Sequence, residues 1–483
     1  MTADKTVHST DNPKIFDQAF TEKAVFDAVL HNGETERDEA NMAHFEEVNQ
    51  MYTTRQAIDE AKRCLHCKVP QCKKACPIEN NIPDFIHELS KGNMGEAMAI
   101  LHEKTNLPAI CGRVCPHEKQ CEGHCVLGKK GHPVRVGKLE SFIAQFDSEM
   151  NLTHERIAEK TRGKVAVIGS GPAGLTVAGD LARQGFHVTI FEGQAELGGV
   201  LMYGIPEYRL PKAVVRNEIK KIEAIGVHFV TNCLVGSASS GVTIDSLFAQ
   251  GFDAIFMATG TALPQDLNIP GANLRRITQS TDFLHNVNAY VEGALPYEMV
   301  PLRKGDKVAV IGGGNVAMDA ARTARRLGAE VTVIYRRTQV EMPAIQSEYE
   351  DAVKEGVQFM WQTNSLEFLG NEKGRVCAIR LSTPEGEKVE AFDRVFLAIG
   401  SRPASRIVDS TQGIEVDEKG YVVVGDRPKG MTTRRGVFAG GDVVHRPQTV
   451  VLAMKAAKEV AVGIAQYVDA IKLLADCGMK TAD

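Results

Sequence analysis

The chain has 483 residues, of which 43% are hydrophobic and 24% charged, and a formal net charge of -5. This is an ordinary globular composition on a chain too long for a single core, so roughly two to four domains are expected. The mild negative charge gives no reason to expect nucleic acid or an anionic membrane as partner, and no uncharged apolar stretch is long enough to span a bilayer.

The opening residues, MTADKTVHSTDNPK, lack the apolar core of a signal peptide, which points to the cytoplasm. Eleven cysteines in a reducing compartment argue for metal ligation over a disulfide framework. Residues 1 to about 55 are polar and weakly patterned and read as an arm with short helices. From Thr54 a helical stretch, TRQAIDEAKRC, leads into Cys64, Cys67, Cys72 and Cys76, spaced C-x2-C-x4-C-x3-C and followed by proline. Pro83 and DFIHELSKGNMGEAMAILHEKT then carry helical periodicity towards a second quartet, Cys111, Cys115, Cys121 and Cys125. Residues 1–160 therefore read as a small α-helical domain organised by its metal sites, since its short elements offer little core of their own.

Three chemistries compete for the eight clustered cysteines. Zinc would take two four-cysteine sites, usually as paired C-x2-C units separated by a longer loop. Disulfides are disfavoured by the compartment. Compact quartets with prolines after Cys76 and Cys115 are closer to ferredoxin-type iron–sulfur runs, although the middle gap of the first is wider. Iron–sulfur is favoured because nucleotide sites downstream give a one-electron carrier a purpose. Cys233, Cys377 and Cys477 stand alone and read as core or surface thiols.

The remainder is duplicated. KVAVIGSG at Lys164 reappears as KVAVIGGG at Lys307, and DAIFMATG at Asp253 reappears as DRVFLAIG, which ends at Gly400. Each unit opens with a buried strand, a glycine turn and a helix, the start of a doubly wound sheet. In the first unit the turn is Gly169, Ser170, Gly171, Pro172, Ala173 and Gly174, and the second strand ends at Glu192, an acceptor for a ribose diol. In the second unit Gly312, Gly313, Gly314, Asn315 and Val316 open the helix, and Arg336 and Arg337 stand where the acid stood. Two guanidiniums can grip a 2′-phosphate that a carboxylate would repel, so this site is expected to prefer NADPH to NADH. No C-x-x-C lies within either nucleotide unit, which weakens a thiol–disulfide reductase reading. Hydride transfer between two bound nucleotides needs alignment rather than a general base, so no catalytic acid or base is assigned.

These motifs together resemble the small subunit of NADPH-dependent glutamate synthase. The large subunit of NADH-dependent ferredoxin:NADP oxidoreductase and the N-terminal half of dihydropyrimidine dehydrogenase are similar. The resemblance runs from about Ala57 to Val468 and rests on RCLHCKVPQCKKACPIENNIPDF, LPAICGRVCPHEKQCEGHCVLG, VIGSGPAGL, ELGGVLMYGIPEYRLP, VIGGGNVAMDAART, YRR, EMP and FAGGDVV. It implies an α/β fold of two doubly wound domains, disulfide-reductase-like and binding FAD and NADPH, preceded by an α-helical domain with two [4Fe-4S] clusters. The implied layout is clusters in 1–160, FAD in 161–280 and 406–483, and NADPH in 281–405. One cluster would use Cys64, Cys67, Cys72 and Cys125. The other would use Cys76, Cys115 and Cys121 with Glu140 as the matching fourth ligand, although Cys111 is also able to serve. For FAD the resemblance adds Gly199, Arg209, Gly441, Asp442 and Thr449, and Gly400 is counted with the nucleotide-binding glycines.

The implied activity passes electrons from NADPH through FAD to the clusters and on to a partner. The favoured partner is the large glutamate synthase subunit, and the alternative is a small flavin and [2Fe-2S] subunit of a bifurcating enzyme. A self-contained NADPH-dependent flavin reductase with structural zinc is the remaining alternative. A fragment beginning near Thr161 is expected to keep both nucleotide sites, provided it folds.

Overall fold

The computed structural model describes residues 45–237, 239–447 and 449–479. Most of the expected N-terminal arm lies outside them. The helical part comprises α1 (Thr54–Ala61), α2 (Gln71–Ala75), α3 (Ile82–Ser90), α4 (Met94–His102), α5 (Pro108–Val114) and α6 (Val136–Met150). Thr53 starts α1 through a reciprocal cap with Gln56, and α6 stops where Asn151 turns left-handed at φ 49°. Phe85, Leu89, Met98, Leu101, Leu139 and Ile143 fill its core, with Cys64, Cys72, Cys76 and Cys125 packed at the margin.

The nucleotide units follow in chain order. The first runs β1 (Gly163–Ile168), α7 (Pro172–Arg183), β2 (Phe186–Phe191), α8 (Lys212–Ala224), β3 (Val227–Val230) and β4 (Ala254–Met257). The second runs β5 (Ile277–Gln279), α9 (Ser280–Val291), β6 (Lys307–Ile311), α10 (Asn315–Arg326), β7 (Glu330–Ile334), α11 (Gln346–Lys354) and β8 (Gln358–Met360). It continues with β9 (Asn364–Gly370), β10 (Val376–Thr383), β11 (Gly386–Ala391) and β12 (Arg394–Leu397). The chain then returns to the first sheet with β13 (Val424–Asp426), β14 (Lys429–Thr432), β15 (Val437–Ala439) and the long helix α12 (Val450–Asp476).

The first sheet has the order β13-β14-β15-β4-β1-β2-β3, the second β5-β12-β6-β7-β8, and β9-β10-β11 form a separate antiparallel meander. In both units the glycine turn follows a central parallel strand, at the strand-order reversal where such sheets bind nucleotides. One boundary moves. β5 pairs in parallel with β12, so the second unit begins before Ile277 and not after residue 280.

The helical part is not a detachable appendage. Leu107, Ile110, Cys111 and Val114, on and just before α5, share a core with Leu175, Ala178 and Leu181 of α7 and Met454 of α12. Polar ties line the same seam: the Asn106 amide donates to Thr176 O at 3.2 Å and Asp180 at 2.8 Å, and Ala109 N donates to Glu218 at 3.1 Å. Cutting near Thr161 would strip part of the first unit's core, so the condition that such a fragment must fold is a demanding one. Among the described residues no helix is long and apolar enough to cross a membrane.

Candidate functional site: two nucleotide cradles and two thiol groups

The β1–α7 turn is built so that one glycine faces open space. A Cβ on Gly169 (φ 101°) would sit 2.6 Å from Ala258 O, and one on Gly174 would sit 2.0 Å from Gly169 O. A Cβ on Gly171 would meet nothing within 4 Å, so its hydrogen leaves a cradle at the α7 N-terminus where a pyrophosphate can approach backbone N–H groups. Pro172 and Ala173 form the first turn of α7. Buried Glu192 accepts from Ser170 N (2.9 Å), Ser170 Oγ (2.5 Å) and Gln194 N (2.9 Å), so it braces the loop as well as standing where a ribose would lie.

Residues distant in sequence close on this turn. Gly199, at φ 54°, packs so that its Cβ would lie 3.1 Å from Gly171 Cα, and a Cβ on Gly441, at φ 74°, would lie 2.8 Å from the Ala173 methyl. Thr449 occupies the N-cap of α12 without capping it, and its hydroxyl oxygen is buried with no hydrogen-bond partner among the described residues. An open cradle beside an unpaired buried hydroxyl fits a polar ligand such as the FAD diphosphate–ribityl chain. The Arg209 guanidinium pairs with Asp319 (2.7 and 2.9 Å) and Glu348 (2.9 Å) of the second unit, where little water reaches the carboxylates.

Burial pushes the Asp442 carboxyl up to about 6. A folded-state pKa above the unfolded value favours folding only while the group is protonated, so this contribution is lost as pH rises through about 6. Asp442→Asn is therefore expected to stabilise the apoprotein at pH 7.5 by roughly 2–3 kcal/mol and to leave it unchanged near pH 4, as read by urea unfolding.

In the second unit a Cβ on Gly312 (φ 139°) would lie 2.3 Å from Ala398 O, and one on Gly313 would strike the Tyr335 ring at 2.6 Å. Gly314, like Gly171, faces open space. The Glu341-Met342-Pro343 segment folds back onto this loop: Ala344 N donates to Gly313 O at 3.2 Å, and Asn315 Oδ1 accepts from Ile345 N at 2.9 Å. Val316 is exposed on the first turn of α10. Arg336 and Arg337 follow the tyrosine that touches Gly313; both are exposed, and neither enters an ion pair among the described residues. Gly400 (φ 104°) lies beside the Gln265 side chain, two residues after the Ala398 carbonyl that Gly312 packs against. An open helix N-terminus next to two uncommitted guanidiniums fits a phosphorylated nicotinamide nucleotide.

The cysteines separate into two groups across the sequence order. Cys64 lies in the electrostatic reach of Cys67 and Cys125, and Cys72 in that of Cys64 and Cys125. Cys76 is near Glu140 and Cys111, Cys115 near Cys111, Glu140 and Cys121, and Cys121 near Glu140 and Cys76. Burial pushes the thiols of Cys72 and Cys76 up to about 11 and, with the Cys111 sulfur next in size, drives the Glu140 carboxyl well above its usual range. Glu140 Oε1 is buried without a partner, whereas Cys111 donates to Met454 Sδ at 3.6 Å and sits 3.8 Å from Thr105 Oγ1. Among the described residues these side chains are not drawn into metal-ligand geometry, but four thiols gathered around a buried carboxyl form a donor set of the kind an iron–sulfur cluster takes, and ligation would displace their protons.

The fold and these sites define an oxidoreductase joining a flavin, a pyridine nucleotide and iron–sulfur clusters. Residues 163–457 match the pyridine nucleotide-disulphide oxidoreductase family, and residues 41–152 match dihydropyrimidine dehydrogenase domain II, 4Fe-4S cluster. The chain belongs to the pyridine nucleotide-disulphide oxidoreductase family, in the branch that carries this 4Fe-4S domain, and FAD, a nicotinamide nucleotide and [4Fe-4S] clusters are its cofactors. It is 34% identical over 448 residues to the glutamate synthase [NADPH] small chain of Halomonas elongata, covering 88% of this chain and 93% of that one. It is 33% identical over 428 residues to the NAD-dependent dihydropyrimidine dehydrogenase subunit PreT of Escherichia coli, covering 88% and 98%. Among solved structures, Mycobacterium tuberculosis FprA in complex with NADPH shares the fold, with a TM-score of 0.54 at 18% identity over 66% of this chain and 87% of that one.

Proposed function

We propose that the protein passes electrons from NADPH through FAD and two [4Fe-4S] clusters to a larger partner, and that it is the small subunit of an NADPH-dependent glutamate synthase. The carrying observation is the placement of the thiols. Cys115 packs against the core that contains α7 and the start of α12, and Cys76 packs against both that core and the helical one, whereas Cys64, Cys72, Cys121 and Cys125 pack only within the helical core. Contact of Cys76 and Cys115 with the flavin unit's core supports a relay in which their group is the one nearer the flavin.

In this reading residues up to about 160 hold the clusters, the first sheet with its C-terminal return holds FAD, and the second sheet holds NADPH. When bound, these groups supply hydride release, conversion of an electron pair to single electrons, and one-electron conduction. The chain's own part is to hold them. Gly171 and the α7 N-terminus take the FAD pyrophosphate, Gly314 and the α10 N-terminus that of NADPH, and Arg336 and Arg337 the 2′-phosphate. Cys64, Cys67, Cys72 and Cys125 hold one cluster; Cys76, Cys115, Cys121 and Glu140 hold the other. The partner assignment draws on the similarity to glutamate synthase small chains.

Anaerobic NADPH titration should bleach the flavin and then raise low-temperature paramagnetic signals from reduced clusters. Mixed with the large subunit, the protein should support NADPH-dependent glutamate formation from glutamine and 2-oxoglutarate. Stoichiometric zinc without acid-labile sulfide would reduce the scheme to a flavin reductase with a structural metal domain.

A further inference from the structure

The segment between the two cradles, from Gly198 to Arg209, is anchored at both ends and pinned in the middle. At its start Gly198 N donates to Ser170 Oγ at 2.9 Å, on the flavin-side turn itself. In its middle the fully buried Lys212 ammonium donates to the carbonyls of Leu201 (3.1 Å), Ile205 and Leu210 (3.3 Å). The Asn288 amide of α9 adds bonds to Tyr203 O (3.0 Å) and Ile205 O (3.1 Å), and the Tyr203 ring stacks on His285 at 4.6 Å.

At its end the segment enters a buried ionic cage made by the other unit. Tyr208 is fully buried, with the guanidiniums of Arg322 and Arg326 at 5.0 and 4.1 Å from its ring centre. Arg209 is bracketed by Asp319 of α10 and Glu348 of α11. Glu348 also meets Arg322, which bonds Glu355 at 2.8 and 3.1 Å. Asp319 and Arg322 lie on the same helix that opens at Gly314. The segment therefore runs from the turn of one cradle to the helix of the other.

A buried ion pair contributes little net stability but tolerates little displacement, since sliding either partner leaves a charge unpaired in a low-dielectric site. Hydride transfer is steeply sensitive to placement, and an error of about 1 Å can cost about 100-fold in rate. We propose that the Gly198–Arg209 segment is a rigid spacer that fixes the offset between the two nucleotides, with Arg209 as the residue that positions it. This rests on the assignment of the two cradles to FAD and NADPH. The contacts of Arg209 run to Asp319 and Glu348, and it acts through them.

The test is anaerobic stopped-flow reduction of the flavin in the full-length, cofactor-loaded protein carrying Arg209→Met. FAD content and NADP+ affinity should stay within about threefold of wild type, while the rate constant for flavin reduction falls about 100-fold. The isotope effect with 4-deuterated NADPH should rise, and Arg209→Lys should recover part of the rate. A folded Arg209→Met protein that reduces its flavin within threefold of the wild-type rate overturns the proposal. So does a rate loss matched by loss of FAD, which would make Arg209 a flavin ligand after all. If Arg209→Met does not fold, Glu348→Gln is read by the same measurements and the same thresholds. Failure of NADPH to reduce the wild-type flavin at all would instead overturn the functional reading beneath it.

Discussion

Replacing Arg336 and Arg337 together by alanine is expected to weaken NADPH binding by about 100- to 10,000-fold and to change NADH binding by less than about threefold. Each charge-assisted contact to a phosphate contributes roughly 1.5–3 kcal/mol, and two such contacts add to about 3–6 kcal/mol. The effect should be selective because both side chains are exposed and outside the ion pairs of the described residues, so their removal leaves no buried carboxylate unpaired. Equilibrium titration of flavin or protein fluorescence with each nucleotide measures both constants. Equal losses for NADPH and NADH would remove the 2′-phosphate assignment. The magnitude should also shrink in high salt, because an exposed phosphate site is screened.

Glu140→Ala is expected to halve the iron and labile sulfide of anaerobically purified protein, whereas Cys111→Ala should leave both within about a fifth of wild type. The two residues compete for one role, and their surroundings differ. Glu140 presents a buried carboxyl oxygen with no hydrogen-bond partner among the described residues, an arrangement that costs free energy unless a ligand completes it. Cys111 already has sulfur and hydroxyl neighbours, hydrogen-bonding with Cys115, donating to Met454 Sδ and lying against Thr105, so it is not left unsatisfied as Glu140 is. Iron lost from Cys111→Ala and kept in Glu140→Ala would reverse the assignment. Glu140→Ala alone should also lower the unfolding midpoint of the loaded protein, since metal ligation and folding are coupled here.

What could be read from the residues alone was local. Gly169, Gly171 and Gly174 announce themselves because strand, turn and helix are consecutive, and Glu192 follows at the end of the next strand. Arg209 could not be placed that way: its carboxylate partner Asp319 is 110 positions away, and the sequence offers no pattern that pairs them. The capping of α11 by Glu118 of the helical part, through Gln346 N at 2.6 Å, spans 228 positions and was equally invisible. The strand Ile277–Gln279 is three residues long, too short to show an alternating pattern, so the unit boundary was set slightly late. The crossing of Cys125 into the group of Cys64 was carried by resemblance and not by spacing, since the chain order places Cys125 with the second quartet.

The burial of α5 in the flavin unit has a consequence for how the molecule is made. Leu107 and Ile110 lie between Cys76 and Cys111 in the chain, Val114 between Cys111 and Cys115, and their partners include the helices that build the flavin cradle. A chain that has not received its iron and sulfide cannot hold this segment in place by ligation, and the apolar face of α7 is then left uncovered. Flavin loading is thereby tied to cluster delivery. Iron shortage is therefore expected to lower bound flavin along with the clusters, which flavin content per chain of protein purified from iron-limited cells would show.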